Sequence, residues 1–330
     1  MWWEQIGVER VGPSQYRLTW ADGTVIAVAP SLSPDETPVL AGPVVGAKGL
    51  EVGDLPAAAQ HFFHVQAASG DRWVVADRRI PLQGAVNFRD FGGYTTADGR
   101  RVRWGRLFRS GQLSLLTEAD QARVAELGIA LICDFRRDEE RLADPSRLAP
   151  QHQPRMEALS IAPGNTADLF AAFRHDISGI TREHMIQLLV DINRELAVRQ
   201  QALFRRMFTA MLDSPGPVLL HCAAGKDRTG FAAALVLSAL GVPEAAVMHD
   251  YLLTSRYLVA MEEMGRVQEK YAVPIEPENL LPLLEARPEY LQAALAAVRE
   301  EFGDMETYLR EALGVDDAAR NELRGRLLVG

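Results

Sequence analysis

The chain has 330 residues, of which 48% are hydrophobic and 24% are charged, a balance typical of a globular protein with a full core. Its formal net charge of −9 argues against nucleic acid or an anionic membrane as the main partner. The first residues lack the charge pattern of a signal peptide, and no apolar stretch is long enough for a membrane span. We therefore expect a soluble, cytoplasmic protein without stable membrane insertion, with export by a signal-less route as the alternative.

Residues 1–80 have the pattern of a small β domain. The segments YRLTW and GTVIAVAP are separated by ADG, and HFFHVQAAS and RWVVADRRI are separated by GD, so each pair predicts a β-hairpin. The Pro- and Gly-rich stretch between the two pairs cannot be helical. The whole pattern is loosely similar to a fibronectin-type sandwich.

From about residue 85 onward, predicted strands alternate with predicted helices. GRLFRSG, IALICDF and RMEALSIAP predict strands, and LTEADQARVAELG predicts a helix that begins after Thr117 and ends at Gly128. This alternation predicts an α/β domain with a mostly parallel sheet flanked by helices. The tail from Pro243 onward is predicted to be helical and includes EYLQAALAAVREEFG, which Gly303 closes.

Residues 166–212 are predicted to be mainly helical, because two apolar stripes recur there at helical spacing. The first stripe comprises Met185, Leu189, Ile192 and Leu196, and the second comprises Phe204, Phe208 and Met211. We expect these stripes to pack in the core or beneath a lid. The hypothesis of a helical lid uses the small residues Ser178 and Gly179 as a hinge.

The run HCAAGKDRTG, residues 221–230, joins the apolar strand PVLLHC to an apolar helix. Cys222 then stands at the carboxyl end of a strand, where open α/β sheets bind ligands. The backbone N–H groups of a curled loop and of a helix N-terminus form an anion site, and Gly225 permits the necessary curl. Arg228 adds a fork suited to phosphate, and the same field stabilises a thiolate. These features predict a nucleophilic cysteine that faces a bound phosphate.

HCAAGKDRTG resembles the HC-x5-R-[ST]-G phosphate loop of protein tyrosine phosphatases. A buried structural cysteine is the simpler alternative, but it leaves the joint placement of these residues unexplained. The stretch NFRDFGGYTTADGRRVRWGRLFRSGQLSLLTEAD, at residues 87–120, resembles a bacterial branch of that family, the mycobacterial PtpB type with GKDRTG in its loop. DYLLTSRYL and the C-terminal tail are also similar to this branch, so the resemblance covers roughly residues 83–330. It implies a phosphatase-type α/β domain after the N-terminal β domain.

The resemblance implies a role for each residue of the loop. Cys222 would be the nucleophile, and Arg228 would bind the phosphate and stabilise the transition state. Thr229 would hydrogen-bond the sulfur and help its departure, and His221 would support the loop from behind. The phosphate would lie against a series of backbone N–H groups, those of Ala223, Ala224, Gly225, Lys226, Asp227 and Arg228.

The general acid has two candidates, since the chain lacks the WPD motif that many tyrosine phosphatases carry on a separate loop. Asp227 is favoured, because the resemblance to the GKDRTG branch implies it. Asp134 ends the strand IALICDF and would face the pocket if that strand is parallel to PVLLHC. Its alternative role is an ion pair with Arg136, Arg137 or Arg228 that orients the loop.

The substrate inference rests on Lys226, which adds positive charge beside the phosphate pocket. A phosphotyrosine protein is the first interpretation, and a phosphoinositide, or both substrates, is the alternative. Two other classes are a phosphate-recognition module without turnover and a sulfur or arsenate enzyme, against which the RTG sequence speaks. Cys133 is expected to be a packing residue, with a disulfide to oxidised Cys222 as the alternative. We expect no cofactor and no metal, and the oligomeric state is open.

Overall fold

The computed structural model describes residues 6–20, 25–40, 48–56, 60–162, 181–258, 264–265 and 276–330. Its N-terminal part contains two antiparallel three-stranded sheets. One sheet has the order β1 (Ile6–Gly12), β2 (Gln15–Trp20) and β4 (Gly49–Val52). The other has the order β3 (Val25–Ser31), β5 (Phe62–Ala67) and β6 (Arg72–Ala76). Apolar residues of these strands meet in one small core, which Trp104 also enters.

One of the two predicted hairpins is wrong and the other is confirmed. YRLTW and GTVIAVAP do not pair, because β2 pairs with β1 and β4, whereas β3 pairs with β5. The two strands belong to separate sheets, and both bury apolar residues in the same core. A turn signal alone cannot distinguish a hairpin from a connection between two sheets. The second hairpin is present, with Phe62 opposite Ala76 and Gln66 opposite Arg72.

The main sheet has five strands and is mostly parallel, as the sequence predicted. Its order is β11 (Arg155–Ala158), β10 (Leu131–Asp134), β12 (Val218–His221), β9 (Leu107–Ser110) and β7 (Arg89–Asp90). The three pairs from β11 to β9 are parallel, and the edge strand β7 is antiparallel to β9. A separate antiparallel pair joins β8 (Arg101–Val102) to β13 (Leu328–Val329).

Helices surround the main sheet. The first four are α1 (Glu118–Glu126), α2 (Asp138–Ala143), α3 (Arg182–Arg199) and α4 (Gln201–Asp213). They are followed by α5 (Asp227–Leu240), α6 (Glu244–Leu252), α7 (Thr254–Tyr257) and α8 (Pro277–Leu284). The last are α9 (Pro288–Phe302), α10 (Met305–Thr307), a π-helical turn (Tyr308–Ala312) and α11 (Asp317–Leu327). Within the described ranges, no helix combines the length and apolar character of a membrane span.

Two helix boundaries follow the sequence signals. Thr117 caps α1 and forms a reciprocal pair of hydrogen bonds with Asp120, and Gly128 follows the helix with a φ of +61°. Gly303 ends α9 with a φ of +83°. Both boundaries are therefore confirmed.

The predicted helical insertion at 166–212 is described only from residue 181 onward, so the proposed hinge at Ser178 and Gly179 lies outside the described residues. The apolar stripes of α3 and α4 are buried, and most of their residues join the main core together with α5 and α9. This agrees with core packing. The role of the insertion as a lid stays a prediction.

The strand register brings three chain segments to one edge of the sheet. His221 at the end of β12 lies between Asp134 of β10 and Ser110 of β9. Because the three strands are parallel, the loops that follow them all leave from the same edge. The loop that begins at Cys222 is the central one of the three.

Candidate active site

The loop between β12 and α5 turns its carbonyl groups outward. The carbonyl oxygens accept hydrogen bonds from surrounding donors: His221 from Phe135 N at 2.9 Å, Ala223 from Gln112 N at 2.8 Å, and Gly225 from Asn87 Nδ2 at 2.8 Å and Arg109 Nη2 at 3.0 Å. In a trans peptide the N–H points opposite to the carbonyl, so the N–H groups that follow face the inside of the loop. The Ala224–Gly225 peptide demonstrates this orientation, since its carbonyl accepts from Asn87 Nδ2 at 3.3 Å while its N–H, that of Gly225, donates to Cys222 Sγ at 3.3 Å.

Gly225 lets the loop pass close to the end of β9. Its φ is +69°, and a β-carbon at this position would lie 2.5 Å from the carbonyl carbon and oxygen of Ser110. Only glycine meets both requirements, a left-handed backbone and direct contact with another backbone. The requirement for glycine is expected from the sequence, whereas its contact with Ser110 is visible only in the structure.

Cys222 is buried, and its sulfur lies in the loop that leads into the N-terminus of α5. Arg228, in the first turn of this helix, donates to Glu140 at 2.8 and 3.3 Å and to the Phe135 carbonyl at 3.1 Å. Burial alone would lower the pKa of Arg228, but the negative charges of Cys222 and Glu140 raise it above its ordinary value. The guanidinium is therefore a fixed positive charge beside the loop. Glu140 was missed in the sequence, where its only signal is the acidic run after Arg137.

Asp134 is engaged with its neighbours on the sheet. Its carboxylate accepts hydrogen bonds from the Arg136 side chain, the shortest being 2.8 Å, and His221 Nε2 lies 3.4 Å from it. Burial would raise the pKa of Asp134, but His221 and Arg136 hold it well below its usual range. Of the partners foreseen for Asp134, the structure selects Arg136. In the described part of the chain, neither ring nitrogen of His221 has a hydrogen-bond partner.

The two charged residues at the start of α5 differ in exposure. The Asp227 side chain is 22% exposed, and its carboxylate lies 3.3 Å from Asn193 Nδ2 of α3. Lys226 is buried, and its Nζ donates to the carbonyls of Pro282 at 3.2 Å and Glu285 at 3.1 Å. Burial lowers the pKa of Lys226. The ammonium is therefore engaged inside the protein.

Thr229 does not make the predicted hydrogen bond to the sulfur. Its Oγ1 is buried and has no hydrogen-bond partner among the described residues, whereas the sulfur of Cys222 accepts from Gly225. The role of Thr229 in the departure of sulfur stays a prediction. The following residue, Gly230, leaves room for the ring of Tyr251, which would lie 2.8 Å from a β-carbon there.

The loop is supported by a buried polar cluster whose role was not predicted from the sequence. The cluster comprises Asn87, Arg89, Arg109 and Asp250. Asn87 and Arg109 both donate to the Gly225 carbonyl, as described above, and Asp250 pairs with Arg109 at 2.6 Å. The stretches that contain these residues contributed to the family resemblance, but nothing in the sequence links them to the loop.

Comparison with known proteins identifies the class to which this site belongs. The model of the tyrosine phosphatase family matches residues 80–329, and the chain therefore belongs to the tyrosine phosphatase family. A protein of Cupriavidus necator named as a tyrosine-protein phosphatase is 34% identical over 244 residues, covering 74% of this chain and 86% of that protein. The triple specificity protein phosphatase PtpB of Mycobacterium tuberculosis is 32% identical over 290 residues, covering 77% of this chain and 100% of PtpB. These matches confirm the family resemblance.

Among solved structures, that of TpbA from P. aeruginosa aligns with 57% of this chain and 91% of TpbA, at 19% identity and a TM-score of 0.24. The family assignment depends on the sequence matches, which also establish this chain as an enzyme of the protein-tyrosine phosphatase type.

Gly225→Ala tests whether the path of the loop is required, with Gly128→Ala as the matched control. Both glycines have a positive φ, but a β-carbon at Gly128 would meet nothing within 4 Å. We expect Gly128→Ala to lower the free energy of unfolding by about 1 kcal/mol through backbone strain alone. Gly225→Ala should cost more stability and lower kcat/KM on p-nitrophenyl phosphate about 100-fold, because Ser110 displaces the loop. Equal effects of both variants on kcat/KM would contradict this account.

Proposed function

We propose that this protein hydrolyses phosphotyrosine in proteins through a phosphocysteine intermediate. The observation that carries the proposal is the orientation of the loop, whose outward carbonyls turn N–H groups to its inside, where the N–H of Gly225 donates to the sulfur of Cys222. Together with the N-terminus of α5 and Arg228, such a loop suits a phosphate dianion. Positive charge and N–H donors also favour the thiolate form of a cysteine, which is the nucleophilic form.

The proposed reaction has two steps. The Cys222 thiolate attacks phosphorus, the bond from phosphorus to the tyrosyl oxygen breaks, and Asp227 gives its proton to that oxygen. Water then attacks the phosphocysteine while Asp227 takes up a proton, and the sulfur–phosphorus bond breaks. Inorganic phosphate leaves, and the thiolate and the protonated acid are restored. Arg228 would bind the phosphoryl oxygens in both steps.

Two observations support Asp227 rather than Asp134 as the proton donor. Asp227 is partly exposed at the start of α5, next to the loop. Asp134 is pinned by Arg136, and its lowered pKa keeps it ionised at neutral pH, which makes it a poor acid. We infer that Asp134, whose carboxylate lies 3.4 Å from His221 Nε2, supports the base of the loop by this electrostatic contact. Thr229 would assist the departure of sulfur in the second step.

Phosphotyrosine is the preferred substrate in this proposal, and a phosphoinositide is the alternative. The name of PtpB includes triple specificity, which leaves room for more than one substrate class in the family. The internal hydrogen bonds of Lys226 with Pro282 and Glu285 favour a structural role over contact with a second phosphate. This observation supports the phosphotyrosine interpretation.

We also propose that the catalytic domain spans residues 83–330 and that residues 1–80 form a separate β domain. The start of the family match at residue 80 supports this boundary, as does the core of the N-terminal strands, to which Trp104 is the one buried contributor from the described residues beyond 83. The fibronectin-like character of the β domain is part of the same proposal.

Replacing Cys222 tests the proposed nucleophile, with Cys133 as the matched control. Cys222→Ser should lower turnover of p-nitrophenyl phosphate by about ten-thousand-fold or more, because serine is not ionised at neutral pH. The variant should still bind a phosphotyrosine peptide, as measured by calorimetry. Cys133 lies in the main core, so Cys133→Ala should retain turnover. A wild-type protein that binds the peptide but shows no turnover would instead support a recognition module.

The pH dependence of kcat/KM on an aryl phosphate tests the assignment of the acid. Asp227→Asn should lose the alkaline limb of the wild-type bell-shaped profile, since that limb reports deprotonation of the acid. Asp134→Asn should keep both limbs, although its rate falls if the loop shifts. A bell-shaped profile in Asp227→Asn together with a lost limb in Asp134→Asn would reverse the assignment.

Lys226→Met tests which substrate the loop selects. Methionine keeps much of the side-chain volume but removes the ammonium, which donates to Pro282 and Glu285 and lies 3.5 Å from the Asp227 carboxylate. We expect turnover of a phosphotyrosine peptide and of a phosphoinositide to fall by the same factor, because the change acts through the loop and Asp227, which both substrates use. A loss confined to the phosphoinositide would mean that Lys226 binds a second phosphate, and it would favour the alternative substrate.

A further inference from the structure

Asp250 on α6 is a buried carboxylate that holds two buried arginines. Arg109 Nη1 lies 2.6 Å from its Oδ2, and Arg89 Nε lies 3.7 Å from its Oδ1. The side chains of both arginines are completely inaccessible to solvent, and that of Asp250 is 1% exposed. Tyr94 donates a further hydrogen bond to Oδ1 at 3.3 Å. None of these side chains lies on the loop that carries Cys222.

Both arginines act on the same peptide group of that loop. Arg109 spans the gap directly, because its Nη1 contacts Asp250 while its Nη2 donates to the Gly225 carbonyl at 3.0 Å. Arg89 acts through Asn87, whose Oδ1 it contacts by a hydrogen bond. That bond fixes the amide so that its Nδ2 faces the loop and donates to the Gly225 carbonyl at 2.8 Å and to the Ala224 carbonyl at 3.3 Å.

The negative charge of Asp250 is needed to balance the positive charges of Arg89 and Arg109. Two buried guanidinium groups without a counter-ion would repel each other, and burial already lowers the pKa of Arg89 to about 10. Burial alone would raise the pKa of Asp250, but Arg89 and Arg109 lower it below its usual range, so it stays ionised. Asp250 therefore sets the positions from which both donors reach Gly225.

We propose that Asp250 is a positioning residue of the reaction, because through Arg109 and the Arg89–Asn87 pair it fixes the two peptide groups on either side of the Gly225 α-carbon. The first of these, the Ala224–Gly225 peptide, aims the Gly225 N–H at Cys222. The proposal deepens the proposed function and rests on it for its effect on turnover. The orientation of the loop itself can be measured without turnover. If Asp250 had only a structural role, its replacement would lower the free energy of unfolding but would leave the reactivity of the Cys222 sulfur unchanged.

The pH profile of Cys222 alkylation by iodoacetamide separates two modes of action. If Asp250 acted only as a negative charge near the sulfur, Asp250→Asn would favour the thiolate and move the profile to lower pH. If it positions the loop, the variant weakens the N–H bond to the sulfur and moves the profile to higher pH, by about one unit. We expect the second direction, with kcat/KM on p-nitrophenyl phosphate about 100-fold lower.

Asp120→Asn is the matched control, because Asp120 is also buried but accepts hydrogen bonds from Gln83 and Gly84, away from the loop. Asp120→Asn should lower the free energy of unfolding but leave the alkylation profile and kcat/KM unchanged. If Asp250→Asn does not fold, Asn87→Gly removes one donor to Gly225 while tolerating the positive φ of +60° at residue 87. That variant should also move the alkylation profile to higher pH.

A folded Asp250→Asn variant that keeps the wild-type alkylation profile and kcat/KM, or whose profile moves to lower pH, overturns the proposal. An unchanged profile in Asn87→Gly overturns it as well. A wild-type protein that lacks phosphatase activity would refute the proposed function separately, since the alkylation profile would still report the orientation of the loop.

Discussion

The carbonyl oxygen of Gly225 accepts two hydrogen bonds, and the geometry of the loop depends on them. A peptide group has two ends, so a carbonyl held outward commits the neighbouring N–H groups to the inside. The bonds from Asn87 Nδ2 and Arg109 Nη2 hold that carbonyl and so turn the N–H of Lys226 inward. Asn87 Nδ2 also donates to the Ala224 carbonyl at 3.3 Å, and the N–H of the same peptide, that of Gly225, donates to the sulfur of Cys222. The carbonyl groups of the loop thus find hydrogen-bond partners in the surrounding protein, and its N–H groups remain directed toward the nucleophile. A loop that curled without these partners would leave buried carbonyls unpaired, which is costly.

This arrangement puts unusual charges into the interior. Two arginines and one carboxylate lie fully buried beneath the loop, where desolvation opposes each of them. Apolar residues of similar size would give equal or greater stability, so the cluster is better explained by the geometry it imposes than by the stability it adds. Glu140 holds Arg228 in a comparable way, through a hydrogen bond of 2.8 Å. Ion pairs from two separate parts of the chain therefore support the loop and its arginine.

The local features of this site could be predicted from the sequence, and the distant ones could not. Cys222, Gly225 and Arg228 follow one another within a single strand–loop–helix unit, so their spacing defines their geometry. The residues that support the loop are separated from it by 138 positions for Asn87 and 116 for Arg109, and Asp250 lies 141 positions after Arg109. No periodicity connects such distant positions. The hairpin predicted between β2 and β3 is wrong for the same reason. A turn signal depends on adjacent residues, whereas the sheet that a strand joins depends on distant ones.

The same distinction explains why the substrate is harder to infer than the reaction. The atoms that bind a phosphate belong to the loop itself, and any phosphomonoester presents the same dianion to them. The charged residues at the start of α5 instead contact segments from elsewhere in the chain. Asp227 contacts Asn193 of α3, whereas Lys226 contacts the carbonyls of Pro282 and Glu285. Any discrimination between phosphotyrosine and phosphoinositide must therefore come from how these helices surround the loop. The reacting groups belong to ten consecutive residues, whereas their support and the specificity depend on the fold around them.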